Sequence, residues 1–127
     1  MEEDIEAAND YGHNHLGIRR TTWAIEDRVL RYSQRGFDGF LSIKDTLEQP
    51  HTLDFNGVTT LRGDNDACAC CEQTPSLYIN EAYSNTLVTW ADLWKAIDLW
   101  TITSGCDHTF IEGIGRKGDT IVVSFGS

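Results

Sequence analysis

The chain has 127 residues, of which 40% are apolar and 10% aromatic, so it is expected to form one folded domain over residues 1–127 and not a disordered chain. Its net charge of −10 repels phosphates and anionic lipids, which argues against direct binding to nucleic acid or to a membrane. No apolar run approaches a membrane span of about 20 residues and the acidic N-terminus does not resemble a signal peptide, so we expect a cytoplasmic protein or a virion component.

Acidic residues dominate the start of the chain. Glu2, Glu3, Asp4 and Glu6 suit the first turn of a short helix, because the helix dipole favours negative charge there. Residues 11–15 are then expected to form a loop. The carboxylates form a candidate binding surface for a partner protein with a basic face. The alternative is that they only keep the protein in solution.

Basic residues follow the acidic start. Five of the ten lysines and arginines fall between positions 19 and 35. The helical spacing of Ile25, Val29 and Tyr32 predicts a helix over residues 22–34. Three arginines would then lie together beside its buried stripe, namely Arg28, Arg31 and Arg35. We expect them to pair with the acidic N-terminal segment, and the alternative is an anion or partner site.

Short strands are predicted in the middle of the chain. Residues 36–40 are expected to form a turn. Asn56 and Gly57 are the strongest short-range signal of a hairpin, with Leu53 facing Thr60 across it. Residues 76–79 predict a further short strand.

The clearest helix signal lies at about residues 90–103. Thr89 as N-cap and Asp92 three residues later form a variant of the capping box. Asp92, Lys95 and Asp98 are expected to face water. The apolar stripe is predicted to pack in the core and not to form a binding face; its members are Trp90, Leu93, Trp94, Ile97 and Trp100.

A closing hairpin completes the predicted elements. Its strands are expected at residues 110–114 and 120–125, around a turn at 115–118. The elements together predict an α+β domain, with a helical N-terminal part, antiparallel strands and hairpins, and one long amphipathic helix packed on the sheet.

The cysteines indicate a metal site. Cys68, Cys71, Cys106 and His108 form a candidate ligand set for a structural zinc ion, because zinc prefers thiolates and imidazoles in a tetrahedron. Cys70 is left over. Free thiols and a disulfide are the alternatives, and the spacing of the cysteines does not decide among the three.

Two further motifs resemble parts of known binding sites. The glycines of residues 113–118 match the dinucleotide fingerprint in letters, but a strand follows them where that motif needs a helix. His13 and His15 resemble part of a metal site, with Asp10 or His51 as further ligands, but the spacing fixes no third ligand. No catalytic motif is identifiable, so we do not expect an enzyme.

The sequence therefore predicts a small acidic protein-binding factor without enzymatic activity. We expect a phage or mobile-element accessory protein that inhibits a basic, nucleic-acid-handling partner. The first alternative is a structural subunit of a viral or phage assembly, such as a decoration, tail or capsid component. The second is a small zinc-binding module. The oligomeric state is not predicted.

Overall fold

The computed structural model describes residues 2–23, 29–34, 37–42, 47–51, 53–64, 75–104 and 108–126. Within them lie three helices, α1 (Glu2–His15), α2 (Glu81–Ser84) and α3 (Trp90–Ser104). The strands are β1 (Thr22–Trp23), β2 (Val29–Gln34), β3 (Phe37–Ser42), β4 (Thr60–Asp64), β5 (Leu77–Tyr78), β6 (Phe110–Lys117) and β7 (Thr120–Gly126). The predicted α+β class is confirmed. None of the described helices has the length and apolar character that crossing a bilayer requires.

The strands form one mixed sheet in the order β3-β2-β6-β7-β4-β5, and β1 also pairs with β6. β1 and β2 run parallel to β6, and β4 runs parallel to β7. The pairs β2–β3, β4–β5 and β6–β7 are antiparallel. The predicted antiparallel strands are therefore present, but they belong to a mixed sheet. Parallel partners are far apart in sequence, so no turn signal marks their pairing.

The predicted helix over residues 22–34 is wrong wherever the structure describes it. Residues 22–23 form β1, and residues 29–34 form β2, which pairs with β3 from Val29 opposite Ser42 to Gln34 opposite Phe37. Side chains such as Val29 favour a strand, and a hairpin partner outweighs an approximate helical spacing. The predicted turn at 36–40 is wrong for the same reason, because β3 begins at Phe37.

The predicted long helix is confirmed as α3. All five residues of its apolar stripe are no more than 2% exposed. The backbone N–H of Asp92 donates to Oγ1 of Thr89 at 3.1 Å, and the N–H of Thr89 donates back to the Asp92 carboxylate at 3.0 Å. Partial burial raises the pKa of Asp92, but hydrogen bonds from Thr89 and Val88 and the nearby Lys95 charge outweigh it and lower the pKa below its ordinary value.

Residues 47–51 supply the remaining hydrogen bonds at the start of α3. The N–H of Trp90 donates to the carbonyl of Gln49 at 3.1 Å, and the N–H of Ala91 donates to the carbonyl of Leu47 at 2.9 Å. With the Thr89 cap, these bonds satisfy the N–H groups that a helix start leaves without an intrahelical partner. These backbone hydrogen bonds therefore join the beginning of α3 to residues 47–51.

The core lies between α3 and the sheet, and Trp100 is at one end of it. Its ring stacks on Phe125, with ring centroids 5.8 Å apart. Its Nε1 donates to the carbonyl of Pro75 at 3.0 Å. The backbone of Gly63 lies so close to this stack that a Cβ atom there would sit 2.5 Å from Cζ3 of Trp100. Trp100 therefore joins α3 to β4, to β7 and to the start of the segment that leads into β5.

The turn at Asn56 and Gly57 is confirmed, but the predicted hairpin is not. Gly57 has φ +79°, and the N–H of the next residue donates to the carbonyl of residue 55 at 3.0 Å. Thr60 pairs with strands β5 and β7, so the predicted pairing of Leu53 with Thr60 is wrong. The guanidinium of Arg116 donates to the carbonyls of residues 54 and 56 at 2.7 Å each. These bonds hold the turn against the β6–β7 hairpin.

The closing hairpin is confirmed with a tighter turn than predicted. β6 continues to Lys117, and the chain reverses at Gly118 and Asp119. Because β7 follows immediately, the glycines of residues 113–118 lie in a hairpin and not before a helix.

Candidate interaction surfaces

Most of the predicted zinc ligands lie outside the described residues. Cys68, Cys71 and Cys106 are among these, as is Cys70. His108 is described and lies half-buried just before β6. Within the described part of the chain, no group of three histidine, cysteine or acidic side chains could hold a metal ion.

The described ends of the two cysteine-bearing segments lie at the same end of the fold. Residues 65–74 follow β4, where Gly63 packs against the ring of Trp100. They end before Pro75, whose carbonyl accepts the Trp100 hydrogen bond. Residues 105–107 begin directly after α3, about one helical turn beyond Trp100. Gly63, Pro75 and the last turn of α3, which are described, therefore lie near the side chain of Trp100.

The structure does not combine the histidines into a metal site. The ring of His13 hydrogen-bonds to the carbonyl of Ile18 at 3.2 Å and to Oγ1 of Thr22 at 3.4 Å. The ring of His51 packs against Phe55 and hydrogen-bonds to a backbone carbonyl before α3. These contacts join structural elements at two different places.

Helix α1 is longer than predicted, and its inner face is tightly docked. It continues to His15, so the predicted loop at 11–15 is wrong. The amide of Asn9 accepts from the N–H of Trp23 at 2.9 Å and donates to its carbonyl at 3.1 Å. A Cβ atom at Gly12 would overlap ring atoms of Trp94. Packing against these two buried tryptophans explains why the helix extends through a sequence of weak helix formers.

The opposite side of α1 is acidic. Glu6 and Asp10 are exposed and lie four residues apart, on the face away from Ala8 and Gly12. We call these two residues the acidic face of α1. Asp10 also accepts a hydrogen bond from the side chain of Asn14 at 2.7 Å. The other predicted carboxylates belong to the first turns of α1, and their side chains lie outside the described residues; they are Glu2, Glu3 and Asp4.

A hydrogen bond from Tyr11 of α1 joins this helix to residues 47–51. The carboxylate of Glu48 accepts from the hydroxyl of Tyr11. This hydrogen bond and the negative charge of Glu48 raise the pKa of Tyr11 above its ordinary value. Residues 47–51 therefore connect α1 with the start of α3.

The structure describes only a small part of the predicted arginine cluster. Arg28 and Arg35 lie outside the described residues, and only the backbone of Arg31 is described. Because Arg31 belongs to a β-strand, the helical face that was predicted to group the three does not form. Arg20 instead donates to the carbonyl of Thr101 at 2.7 Å and so helps to hold the chain before β1 against α3.

Asp98 was predicted to face water, and this prediction is wrong. It is only 4% exposed, and its carboxylate accepts from the N–H groups of Arg19, Arg20 and Thr21 at 2.9 Å each. The Thr21 hydroxyl adds a fourth hydrogen bond at 3.0 Å and accepts one from Nε1 of Trp94 at 2.9 Å. Three successive N–H groups form an anion-binding nest, and here a carboxylate of the same chain fills it.

A cleft that the sequence did not indicate opens beside β5. Its volume is about 610 Å³, and it lies between the turn at Asn56 and Gly57 and the chain from Tyr78 to Asn85. Tyr78 is 66% exposed at its border. The sequence indicated only a turn at Asn56 and Gly57, and no sequence signal brings this turn together with residues 78–85, which is why sequence reasoning missed the cleft.

Comparisons of the chain with protein-family models, with curated proteins and with solved structures gave no match. Function therefore has to be inferred from the surfaces of the chain itself. Two of them stand out in the described residues, the acidic face of α1 and the cleft beside Tyr78.

Proposed function

We propose that this protein is a binding factor without enzymatic activity, and that the acidic face of α1 contacts a basic surface of a partner protein. The supporting observation is the asymmetry of α1. Its inner face is fixed by Asn9 and Gly12 against buried tryptophans, whereas Glu6 and Asp10 point outward. Because the helix is folded and docked before binding, little conformational entropy is lost when it meets a partner.

The overall charge supports the same proposal. A net charge of −10 attracts a basic surface over a distance of about one Debye length, roughly 10 Å at 0.1 M salt. Such attraction increases the association rate and disfavours acidic partners. Proteins that handle nucleic acids carry basic grooves for phosphates, and a row of carboxylates competes for such a groove. We therefore propose an inhibitor of a nucleic-acid-handling protein.

Charge reversal on α1 tests this proposal. Glu6→Lys should weaken capture of basic proteins from a cell extract at least tenfold, because one contacting carboxylate becomes a repelling cation. Capture by the unmodified protein should also fall when salt is raised from about 0.05 to about 0.5 M. Quantitative mass spectrometry of the captured proteins measures both effects.

The matched control is Glu112→Lys, which changes the net charge equally at an exposed position on β6. It should leave capture of the same proteins unchanged. Equal loss in both variants would show that only total charge matters and would contradict a binding site on α1. A capture set without salt-sensitive basic proteins would contradict the proposed function.

We propose a structural zinc site as a second function of the fold. It is supported by the proximity of the described ends of both cysteine-bearing segments to Trp100. Cys68, Cys71, Cys106 and His108 would supply the ligands, since thiolates and an imidazole suit a structural zinc ion.

Native mass spectrometry of protein purified without chelator tests the zinc site. The expected result is a mass excess of one zinc ion that is lost on acidification, because protonated thiols do not bind the metal. An apo mass together with four reactive thiols would contradict it. The same spectrum shows whether the protein assembles with itself, as a structural subunit of an assembly would.

A further inference from the structure

We infer that the cleft beside Tyr78 is a binding site for a neutral carbohydrate. The cleft has two walls. One is the turn at Asn56 and Gly57, which Arg116 holds in place through hydrogen bonds to the carbonyls of residues 54 and 56. The other is the chain from Tyr78 to Asn85, which includes the short helix α2. The volume of about 610 Å³ is within the usual range of small-molecule sites.

The cleft is held in shape by bonds that do not involve a ligand. The N–H of Ile79 donates to the carbonyl of Thr59 at 2.7 Å, which joins the two walls at the base. Ile79 and Val58 are buried there. The carbonyl oxygen of the Asn80 side chain accepts from the N–H of Tyr83 at 2.7 Å and so caps α2. A ligand would therefore meet a largely preformed surface, which limits the entropy lost on binding.

The charge of the lining favours a neutral ligand. The lining comprises Phe55, Asn56, Gly57, Val58, Thr59, Tyr78, Ile79, Asn80, Glu81, Ser84 and Asn85. Glu81 is the one side chain among these that carries a charge at neutral pH, and the set contains no lysine or arginine. The guanidinium of Arg116 lies against the turn, but its three nitrogens already donate to the carbonyls of residues 54, 56 and 118. A phosphate or carboxylate ligand would therefore gain little cationic pairing for the hydration that it loses.

The polar groups of the cleft match hydroxyl groups. The side chains of Asn56 and Asn85 are exposed, and each amide offers donors and an acceptor in one plane. Because Oδ1 of Asn80 already accepts from α2, its Nδ2 group is what this residue offers to a ligand. Neighbouring sugar hydroxyls both donate and accept, so they satisfy such groups in pairs. Glu81 adds a strong acceptor for a further hydroxyl.

Tyr78 supplies the apolar contact that a sugar ring also needs. Its side chain is two-thirds exposed at the border of this polar cleft. One face of a pyranose ring presents C–H groups, which pack on an aromatic ring while the hydroxyls point to the polar residues. Stacking would remove apolar surface of both rings from water. An exposed aromatic ring beside several amides is therefore suited to a carbohydrate.

The main alternative ligand is an extended peptide that pairs with the edge strand β5. This strand has only two residues. The flanking residue Ile79 turns its N–H toward β4, so by the alternation of antiparallel pairs Tyr78 directs its N–H and carbonyl away from β4. One outward residue offers too few backbone hydrogen bonds for strand addition. The short edge thus favours a compact ligand.

Titration with neutral disaccharides tests the inference. The probes are maltose, cellobiose, lactose, mannobiose and diacetylchitobiose, observed by saturation-transfer NMR and by amide shifts of the labelled protein. We expect at least one to bind with a Kd of about 0.1–10 mM, and to shift the amides of residues 56–59 and 78–85. Tyr78→Ala should weaken that binding at least tenfold, whereas Tyr78→Phe should retain it, because the ring is what stacks.

Phe110→Ala is the matched control, because Phe110 is also an exposed aromatic residue but does not line the cleft. It should leave sugar binding unchanged. Binding by none of the five sugars would overturn the inference, and so would equal losses in Tyr78→Phe and Tyr78→Ala. Shifts of the same amides by extended peptides alone would assign the cleft to peptides instead. All of these outcomes are independent of the Glu6→Lys experiment, since the two surfaces share no residue.

Discussion

Asp98→Ala is expected to lower the free energy of unfolding by about 3–5 kcal/mol, because it leaves several buried donors without an acceptor. The carboxylate accepts from the N–H groups of Arg19, Arg20 and Thr21 and from the hydroxyl of Thr21. The methyl group of alanine has no oxygen that could accept any of these four hydrogen bonds. Urea unfolding followed by far-UV circular dichroism measures the loss independently of Trp94 fluorescence.

Two further variants test whether the loss of stability comes from the hydrogen bonds that the Asp98 carboxylate accepts. Asp98→Asn keeps one carbonyl oxygen in place and should lose about half as much stability as alanine, since part of the acceptor capacity remains. Lys95→Ala removes an exposed side chain from the same helix and should change stability by less than about 0.5 kcal/mol. A loss in Asp98→Ala no larger than that in Lys95→Ala would contradict the network described around Asp98.

Gly12→Ala is expected to destabilise the protein by about 1–3 kcal/mol, although alanine is the better helix former by about 1 kcal/mol. The added methyl group would overlap the ring of Trp94, which is fully buried and hydrogen-bonded to Thr21. The ring has no room to move, so α1 must shift outward. Hydrogen exchange of the α1 amides should accelerate more than exchange in β6 and β7.

Ala7→Gly provides the comparison for helix propensity, because Ala7 is exposed on the same helix. It should cost about 0.5–1 kcal/mol. If Gly12→Ala instead stabilises the protein by a similar amount, helix propensity outweighs packing and the close contact with Trp94 is contradicted. The Gly12 variant also allows a test of whether partner binding requires a docked α1.

The elements that could be predicted from the sequence are those with local signals. The capping residues Thr89 and Asp92 and five apolar residues at helical spacing define α3 without reference to any other part of the chain. The turn at Asn56 and Gly57 and the closing hairpin also depend on neighbours in sequence. In each of these cases, the signal that predicts the element lies within the segment itself, although distant residues such as Gln49 and Arg116 add hydrogen bonds.

The predictions were wrong where contacts between residues far apart in sequence determine the structure. Asp98 occupies a polar position beside the apolar stripe, and its burial depends on the loop at residues 19–21, almost eighty positions earlier. Residues 29–34 form a strand because β3 and β6 pair with them, and β6 begins at Phe110. Helical spacing describes one segment alone, so it carries no information about such partners.

The candidate surfaces also combine features that local sequence signals predict with features that depend on contacts between distant residues. Glu6 of the acidic face was predicted from the acidic start of the chain, whereas Asp10 was considered only as a metal ligand. The orientation of both depends on Gly12 packing against a tryptophan eighty-two positions later in the chain. The cleft beside Tyr78 combines a turn with the chain around β5, which the sequence separates by twenty residues. No local sequence signal reports that these two segments lie side by side.

The position of the β6–β7 hairpin in the sheet has a consequence for biosynthesis. These two strands form the centre of the sheet, and β1, β2 and β4 all pair with them, yet among the described strands they are the last to be translated. β2 and β4 can pair early with β3 and β5, but 75 residues separate β2 from β6 and 55 separate β4 from β7. The sheet therefore completes only after β7 has been translated, and until then one edge of β2 and one edge of β4 remain open to incorrect pairing.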